Sequence, residues 1–375
     1  PNVYEETPTF TDSTLSKTAG KLVPDQPIQI TGFYVNEEEV PIFKLKNGQF
    51  VIADKNTIYE DTVQSIEDIH QEMWLKPGFI LYDKANINGA KKINATVAPY
   101  TKVNIVQIVQ TVKGTYAQIE GQGWVSMEFL DETDNRMDKV QEILSSKYNK
   151  ADYSIYVKQL DTGKEAGINQ DQEMYSASVT KLPYLYYVQE QLDQKKLSLD
   201  QKFKYIGAVN DFAGAYEPEG SGSIAKSADD KEYSVQDLIN RVAKESDNVA
   251  HNILGYYATN QSDKNFQQTI NKIAGKKWDV EERQASSRMA GNVLEAIYEQ
   301  NGMIIDALSQ TNYDNQRISK NIDAKVAHKI GDAYDFKHDA AIVYTDSPFI
   351  IVIFTNNSNY DNISQIADDV YGVLK

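Results

Sequence analysis

The chain has 375 residues, enough for two or three domains. Hydrophobic residues make up 41% and charged residues 25%, a globular balance that excludes wholesale disorder. The 38 Lys+Arg against 54 Asp+Glu leave a net charge of −16, which argues against a nucleic-acid binder or a polybasic membrane-surface protein, and zero Cys excludes disulfides, a thiol nucleophile and cysteine metal sites. His70, His251, His328 and His338 are scattered and never at i, i+3 or i, i+4, so no helical zinc site is expected. The longest apolar run, Phe349–Phe354, is far short of the ~20 residues a membrane-spanning helix needs.

Residues 1–27 are rich in Thr, Ser, Pro and Glu and poor in large apolar side chains, which predicts an extended, solvated tether. The sequence starts at Pro1 with no methionine, so a removed leader or anchor is expected, and with it an exported protein at a cell surface or cell wall. From 28 to 132 short strands and turns dominate. Ile42–Lys46, Asn47-Gly48 and Gln49–Ala53 spell a hairpin, because both turn residues must take positive φ. Lys102–Val112, Tyr116–Ile119 and Trp124–Met127 read as further strands. The stretch Phe79–Leu130, with its Gly-Trp-Val, resembles a bacterial SH3-like barrel, and Phe33–Tyr59 a degenerate second copy. That resemblance implies a cell-wall polymer as partner; the alternative is a spacer that presents the rest of the chain.

From 133 to 375 the pattern changes. Met137, Val140, Ile143 and Leu144 recur at helical spacing, Tyr153–Leu160 and Lys164–Ile168 form a hairpin, and helices are predicted near 178–194, 235–257, 264–274 and 287–300. Strands at Ala341–Tyr344 and Phe349–Thr355 and a helix near 363–374 close the chain, which together predict an α+β sandwich with an antiparallel sheet.

Three stretches carry possible chemistry. On a helix Ser178 and Lys181 share one face, and an alkoxide nucleophile needs such a base within reach. A lysine serves as base only when burial or a second cation lowers its pKa. Pro183 falls inside this helix against its propensity. A second Ser-x-x-Lys, Ser223–Lys226, lies in a Gly/Ser/Asp-rich loop. Ser246-Asp247-Asn248 offers a hydroxyl for proton relay and an amide for a substrate amide, and equally suits a polar turn. Lys329-Ile330-Gly331-Asp332 sets a cation and a close-approach glycine on an edge strand, and equally suits a β-turn with a solvated lysine.

In this order the three resemble Ser-x-x-Lys, Ser-Asp-Asn and Lys-Thr-Gly of the class A β-lactamases and penicillin-binding serine peptidases. Ser176–Pro183, Glu219–Ile224, His328–Gly331 and His338–Tyr344 extend the likeness over 134–375. The resemblance implies a β-lactamase/transpeptidase-like fold with no metal or organic cofactor. It makes Ser178 the acylated nucleophile, Lys181 its base or proton relay, and Ser246 the proton donor to the leaving nitrogen. Asn248 and Gly331 would bind substrate, and Lys329 would attract its carboxylate. The backbone amides of Ser178 and Asp332 would form the oxyanion hole, and Asp247 would be structural. The substrate would be a peptidoglycan peptide or a β-lactam.

Two departures qualify this. Ile330 replaces a hydroxyl-bearing residue. The 276–285 segment is short for the family's deacylation loop and carries only Glu281 and Glu282 as candidate bases. The expected function is therefore a serine hydrolase or acyltransferase that deacylates poorly. The alternatives are a true β-lactamase using Glu281 or Glu282, and a non-catalytic wall-binding scaffold. A Ser178-His338-Asp339 triad is disfavoured, since neighbours on a strand face opposite ways.

Overall fold

A computed structural model of the chain describes residues 1–60, 63–85 and 90–375. The structure divides into Pro1–Asn135 and Arg136–Lys375. Among the described residues, no helix is long and apolar enough to cross a membrane.

Among the described residues, the regular elements of the first unit are all strands apart from one short 3₁₀ turn. Its five-stranded sheet runs Thr18–Leu22, Thr7–Phe10, Phe50–Ile52, Pro41–Leu45, Ile30–Val35, every pair antiparallel. The hairpin through Asn47-Gly48 is there, with Gly48 at φ 84. Residues 1–27 are not a tether. Phe10 pairs with Phe50, Asn2–Val3 pairs with Ile58–Tyr59, and Thr7 and Thr9 are buried. The physical reason is that threonine is β-branched as well as polar. Its period-two placement buries a face that hydropathy does not register, and the Thr9 hydroxyl donates to Gln49 Oε1 at 2.8 Å. A seven-stranded sheet follows, with the long antiparallel pair Val63–Leu75 and Lys102–Thr111 toward one edge. Leu75, Ile105, Ala117 and Val125 lie in its core.

The second unit has a five-stranded antiparallel sheet of β1 (Tyr153–Gln159), β2 (Glu165–Ile168), β3 (Lys325–Ala333), β4 (Phe336–Tyr344) and β5 (Phe349–Asn356), in the order β2-β1-β5-β4-β3. Helices α1 (Arg136–Lys147) and α8 (Tyr360–Leu374) cover one face. On the other lie α2 (Lys181–Asp193), α3 (Val235–Glu245), α4 (Asn248–Ala258), α5 (Lys264–Ala274), α6 (Ser287–Gln300) and α7 (Met303–Leu308). This explains the apolar run in β5: Ile351 and Ile353 face the first layer, Ile350, Val352 and Phe354 the second.

One local detail follows the turn read at Ser246-Asp247-Asn248, and one differs from expectation. The segment 235–257 is two helices, because Ser246 turns left-handed at φ 55 and the Asp247 side chain caps α4 by accepting from Ala250 N. The nucleophile segment opens as a 3₁₀ turn, Ala177–Thr180, and α2 starts at Lys181. Pro183 therefore lies in the first helical turn, where its missing N–H forfeits no intrahelical bond.

Candidate active site

The turn bearing Ser178 is held from both sides. Ser176 donates its N–H and its hydroxyl to the Arg283 carbonyl at 2.7 and 2.9 Å. Trp278 Nε1 donates to Thr180 Oγ1 at 3.0 Å. Ala177 takes a left-handed φ of 49, and its carbonyl accepts from the Tyr216 hydroxyl at 2.8 Å. A non-glycine residue in that region costs energy, which the surrounding bonds must supply. Ser178 faces a cleft of about 410 Å³, and its hydroxyl has no hydrogen-bond partner among the described residues.

Beneath it are two buried lysines. Lys181 Nζ reaches the Ser246 carbonyl at 2.6 Å, the Asn248 Oδ1 at 2.6 Å and the Ser246 hydroxyl at 3.1 Å. Lys329 Nζ reaches the same hydroxyl at 2.8 Å and the Ile330 carbonyl at 2.9 Å. Neither forms an ion pair with a carboxylate among the described residues. Burial first, then the charge of Lys329, pushes Lys181 well below the ordinary lysine value. Burial, then Arg317, pulls Lys329 down to about 7, with Asp339 opposing. A neutral Lys181 amine has two N–H groups, which its two carbonyl acceptors satisfy, and a lone pair left for a hydroxyl proton.

Asn248 is pinned on both sides of its amide: Oδ1 accepts from Lys181 and Nδ2 donates to the Glu217 carbonyl at 2.9 Å. Oδ1 also accepts from the Ser221 hydroxyl at 3.4 Å, and the side chain still lines the cleft with one N–H left over. Asp247 is fully buried; it accepts from Ala250 N at 2.9 Å, Ser223 N at 2.8 Å and Ile224 N at 3.0 Å. Close approach shapes the site at two glycines. A Cβ on Gly222, at φ +113, would lie 2.2 Å from Asp247 Cγ. One on Gly331 would lie 2.7 Å from the Ser176 carbonyl oxygen and 3.3 Å from Ser178 N. The edge strand β3 thus lies against the nucleophile turn. The Ile330 carbonyl faces Lys329 Nζ, and on a strand the residue two further along presents its amide to the same edge, so the Asp332 N–H points that way. The Asp332 carboxylate pairs with Arg317 at 3.0 Å and accepts from the Tyr360 hydroxyl. Ile330 itself is buried.

Of the 278–283 segment, only Arg283 lines the cleft. Glu281 and Glu282 are exposed and do not. His338 donates from Nε2 to the Tyr175 carbonyl at 2.7 Å and accepts from Thr355 N at 3.1 Å, and burial takes it down to about 4. Asp339 instead meets His328 at 3.0 Å, so no triad forms with Ser178. His251 is buried between the rings of Tyr184 and Tyr216. The Ser223–Lys226 copy lies away from Lys181, with Lys226 donating to the Gly220 and Gly222 carbonyls.

Sequence reasoning missed three residues here. Tyr216 has Lys181 Nζ 4.5 Å and Arg283 Cζ 3.8 Å from its ring centroid. Arg317, buried, holds Asp332. Ser221 donates to the Ser246 carbonyl at 2.6 Å. None has a local spacing signal, since each partner lies far away in the chain.

No curated protein matches the sequence. The fold resembles the solved structure of PBP-A, at 16% identity and a TM-score of 0.53, over 64% of this chain and 96% of that one. A variant of PBP-A, solved as an acyl-enzyme complex with penicillin G, matches at 17% identity and a TM-score of 0.52, over 64% and 96%. A β-lactamase from Chitinophaga pinensis matches at 20% identity and 0.51, over 64% of this chain and all of that one (100%). The model of the β-lactamase enzyme family matches residues 135–374, the unit that holds every residue of the cleft, and the chain belongs to that family.

Proposed function

We propose that the protein is an exported serine hydrolase or acyltransferase that forms an acyl-enzyme on Ser178 with a β-lactam or a peptidoglycan peptide, and that deacylates it slowly. The observation that carries the reading is Lys181: fully buried, in no ion pair among the described residues, beside a second lysine, and one helical step from a cleft-facing serine. Membership of the family and the penicillin-bound relative support it.

Lys181 takes the Ser178 proton, and the alkoxide oxygen bonds to the carbonyl carbon of the substrate amide. The oxyanion accepts from the Ser178 and Asp332 backbone amides; one such donor is worth about 10²–10³ in rate. Collapse breaks the C–N bond, and the leaving nitrogen takes a proton from the Ser246 hydroxyl, which Lys181 restores. Lys329 attracts the substrate carboxylate, and Asn248 holds the substrate amide. The acyl group then leaves to water or to an amine. No carboxylate of the 278–283 segment lines the cleft to activate that water, which supports slow deacylation. The N-terminal all-β unit is proposed to contact cell-wall polymer.

Intact-mass spectrometry after benzylpenicillin exposure tests the reading. A gain of one penicillin mass that persists, and is absent in Ser178→Ala, is expected. An unmodified wild-type protein would overturn it.

A further inference from the structure

Arg283 stands in the cleft wall, with no acidic partner among the described residues. Its Nη2 donates to the Ala215 carbonyl at 2.7 Å and its Nη1 to the Glu281 carbonyl at 3.2 Å, while its buried Nε has no partner. Arg241, Arg288 and Arg317, by contrast, each have a carboxylate within 3.0 Å. In a chain with 54 acidic residues, that isolation is a property of the position. A guanidinium cannot shed its charge, and here the Tyr216 ring covers one face and excludes water from it. Two carboxylates also line the cleft. Asp332 is neutralised by Arg317, and Glu217 is exposed and screened by solvent. Neither forms an ion pair with Arg283 among the described residues.

We propose that Arg283 binds a carboxylate on the acyl side of the scissile bond, so that the preferred substrate is an acidic peptide or another amide whose acyl portion carries its own anionic group. This rests on acylation of Ser178. Under that reading Lys329 serves the carboxylate on the leaving-group side, from β3. Arg283 approaches Ser178 from a different element and serves a second one. The planar fork suits a bidentate pair with a carboxylate.

The test compares benzylpenicillin with its α-carboxy derivative, which differs by one carboxylate on the acyl side chain, in the 375-residue protein. A charge-assisted hydrogen bond is worth about 1.5–3 kcal/mol, roughly a 10- to 150-fold effect. The acylation rate constant of the wild type is expected to favour the diacid at least about tenfold. The ratio should fall to about one or below in Arg283→Gln, and be partly kept in Arg283→Lys, which retains the charge. Equal rates in the wild type, or a preference that survives Arg283→Gln, would overturn the proposal. Equilibrium binding of both compounds to Ser178→Ala, with and without Arg283→Gln, reads the same ratio without chemistry. A preference seen there but no covalent adduct in the wild type would condemn the acyl-enzyme reading and keep Arg283 as an anion site. No preference there would overturn the Arg283 assignment.

Discussion

Lys181 and Lys329 converge on one oxygen, the Ser246 hydroxyl, from 3.1 and 2.8 Å, which holds their nitrogens within about 6 Å of each other. At an effective dielectric near 20, two unit charges at that separation repel by about 3 kcal/mol. Lys329 is thus a second reason, after burial, for Lys181 to lose its proton. Replacing Lys329 with methionine should raise the Lys181 pKa. The acid limb of Ser178 acylation should then move up by about one to two pH units, less where Lys329 has already lost its own proton. The pH dependence of the acylation rate constant measures this. A lower rate with an unmoved limb would show that Lys329 acts on substrate alone.

Asp247 is a positioning residue. Asp247→Ala strands three N–H groups, the buried ones of Ala250 and Ile224 and the half-buried one of Ser223. The expected loss is about 3–5 kcal/mol in urea unfolding, with a smaller loss for Asn, which keeps one acceptor. A change below about 1 kcal/mol would contradict the role.

His328 is a buried cation. Its Nδ1 lies 3.0 Å from Asp339 and its Nε2 2.8 Å from Asp314, and these carboxylates outweigh burial and hold it up at about 9. Because the folded value exceeds the ordinary 6.5, its contribution is complete below about pH 6.5 and is lost as pH rises through about 9. The full span corresponds to about 3 kcal/mol. Lys329, lowered to about 7, works the opposite way, since its burial penalty is relieved as pH rises from there to 10.5. The quantity to measure is therefore the difference in unfolding free energy between wild type and His328→Gln. It should shrink between pH 6.5 and 9. A His328 ring that titrates by NMR near 6.5 would refute the assignment.

Ile330→Thr restores a hydroxyl beside Lys329. Acylation by benzylpenicillin should rise about 3- to 10-fold through an added hydrogen bond to its carboxylate, while burial of the hydroxyl lowers stability by about 1 kcal/mol. Stopped-flow acylation and thermal unfolding report the two effects. An unchanged rate would mean that the residue at this position does not reach the substrate carboxylate.

Much of the fold and site was legible because its signals are local. Ser246-Asp247-Asn248 reads as a turn because Asp caps and Ser tolerates the bend, and that turn is what sets Ser246 and Asn248 around Lys181. The apolar run of β5 and the period of α5 and α6 follow directly from burial. The strands at Thr7–Phe10 and Thr18–Leu22 were not legible, because backbone pairing and threonine packing leave no apolar trace. Nor were Tyr216 and Arg283, whose stacking joins residues far apart in the chain, nor Arg317, whose long side chain hides its charge under Asp332. Pro183 is disruptive only in a helix that begins at Ser178; in one that begins at Lys181 it sits in the first turn.

Gly222 and Gly331 shape how this cleft will respond to random substitution. Neither contributes an atom to bond making, yet a single methyl at either would drive Asp247 or the Ser176–Ser178 backbone out of place. A deep mutational survey of the gene should therefore rank both with the nucleophile for intolerance. Scores of that kind would report the thickness of the wall around the reaction as faithfully as they report its participants.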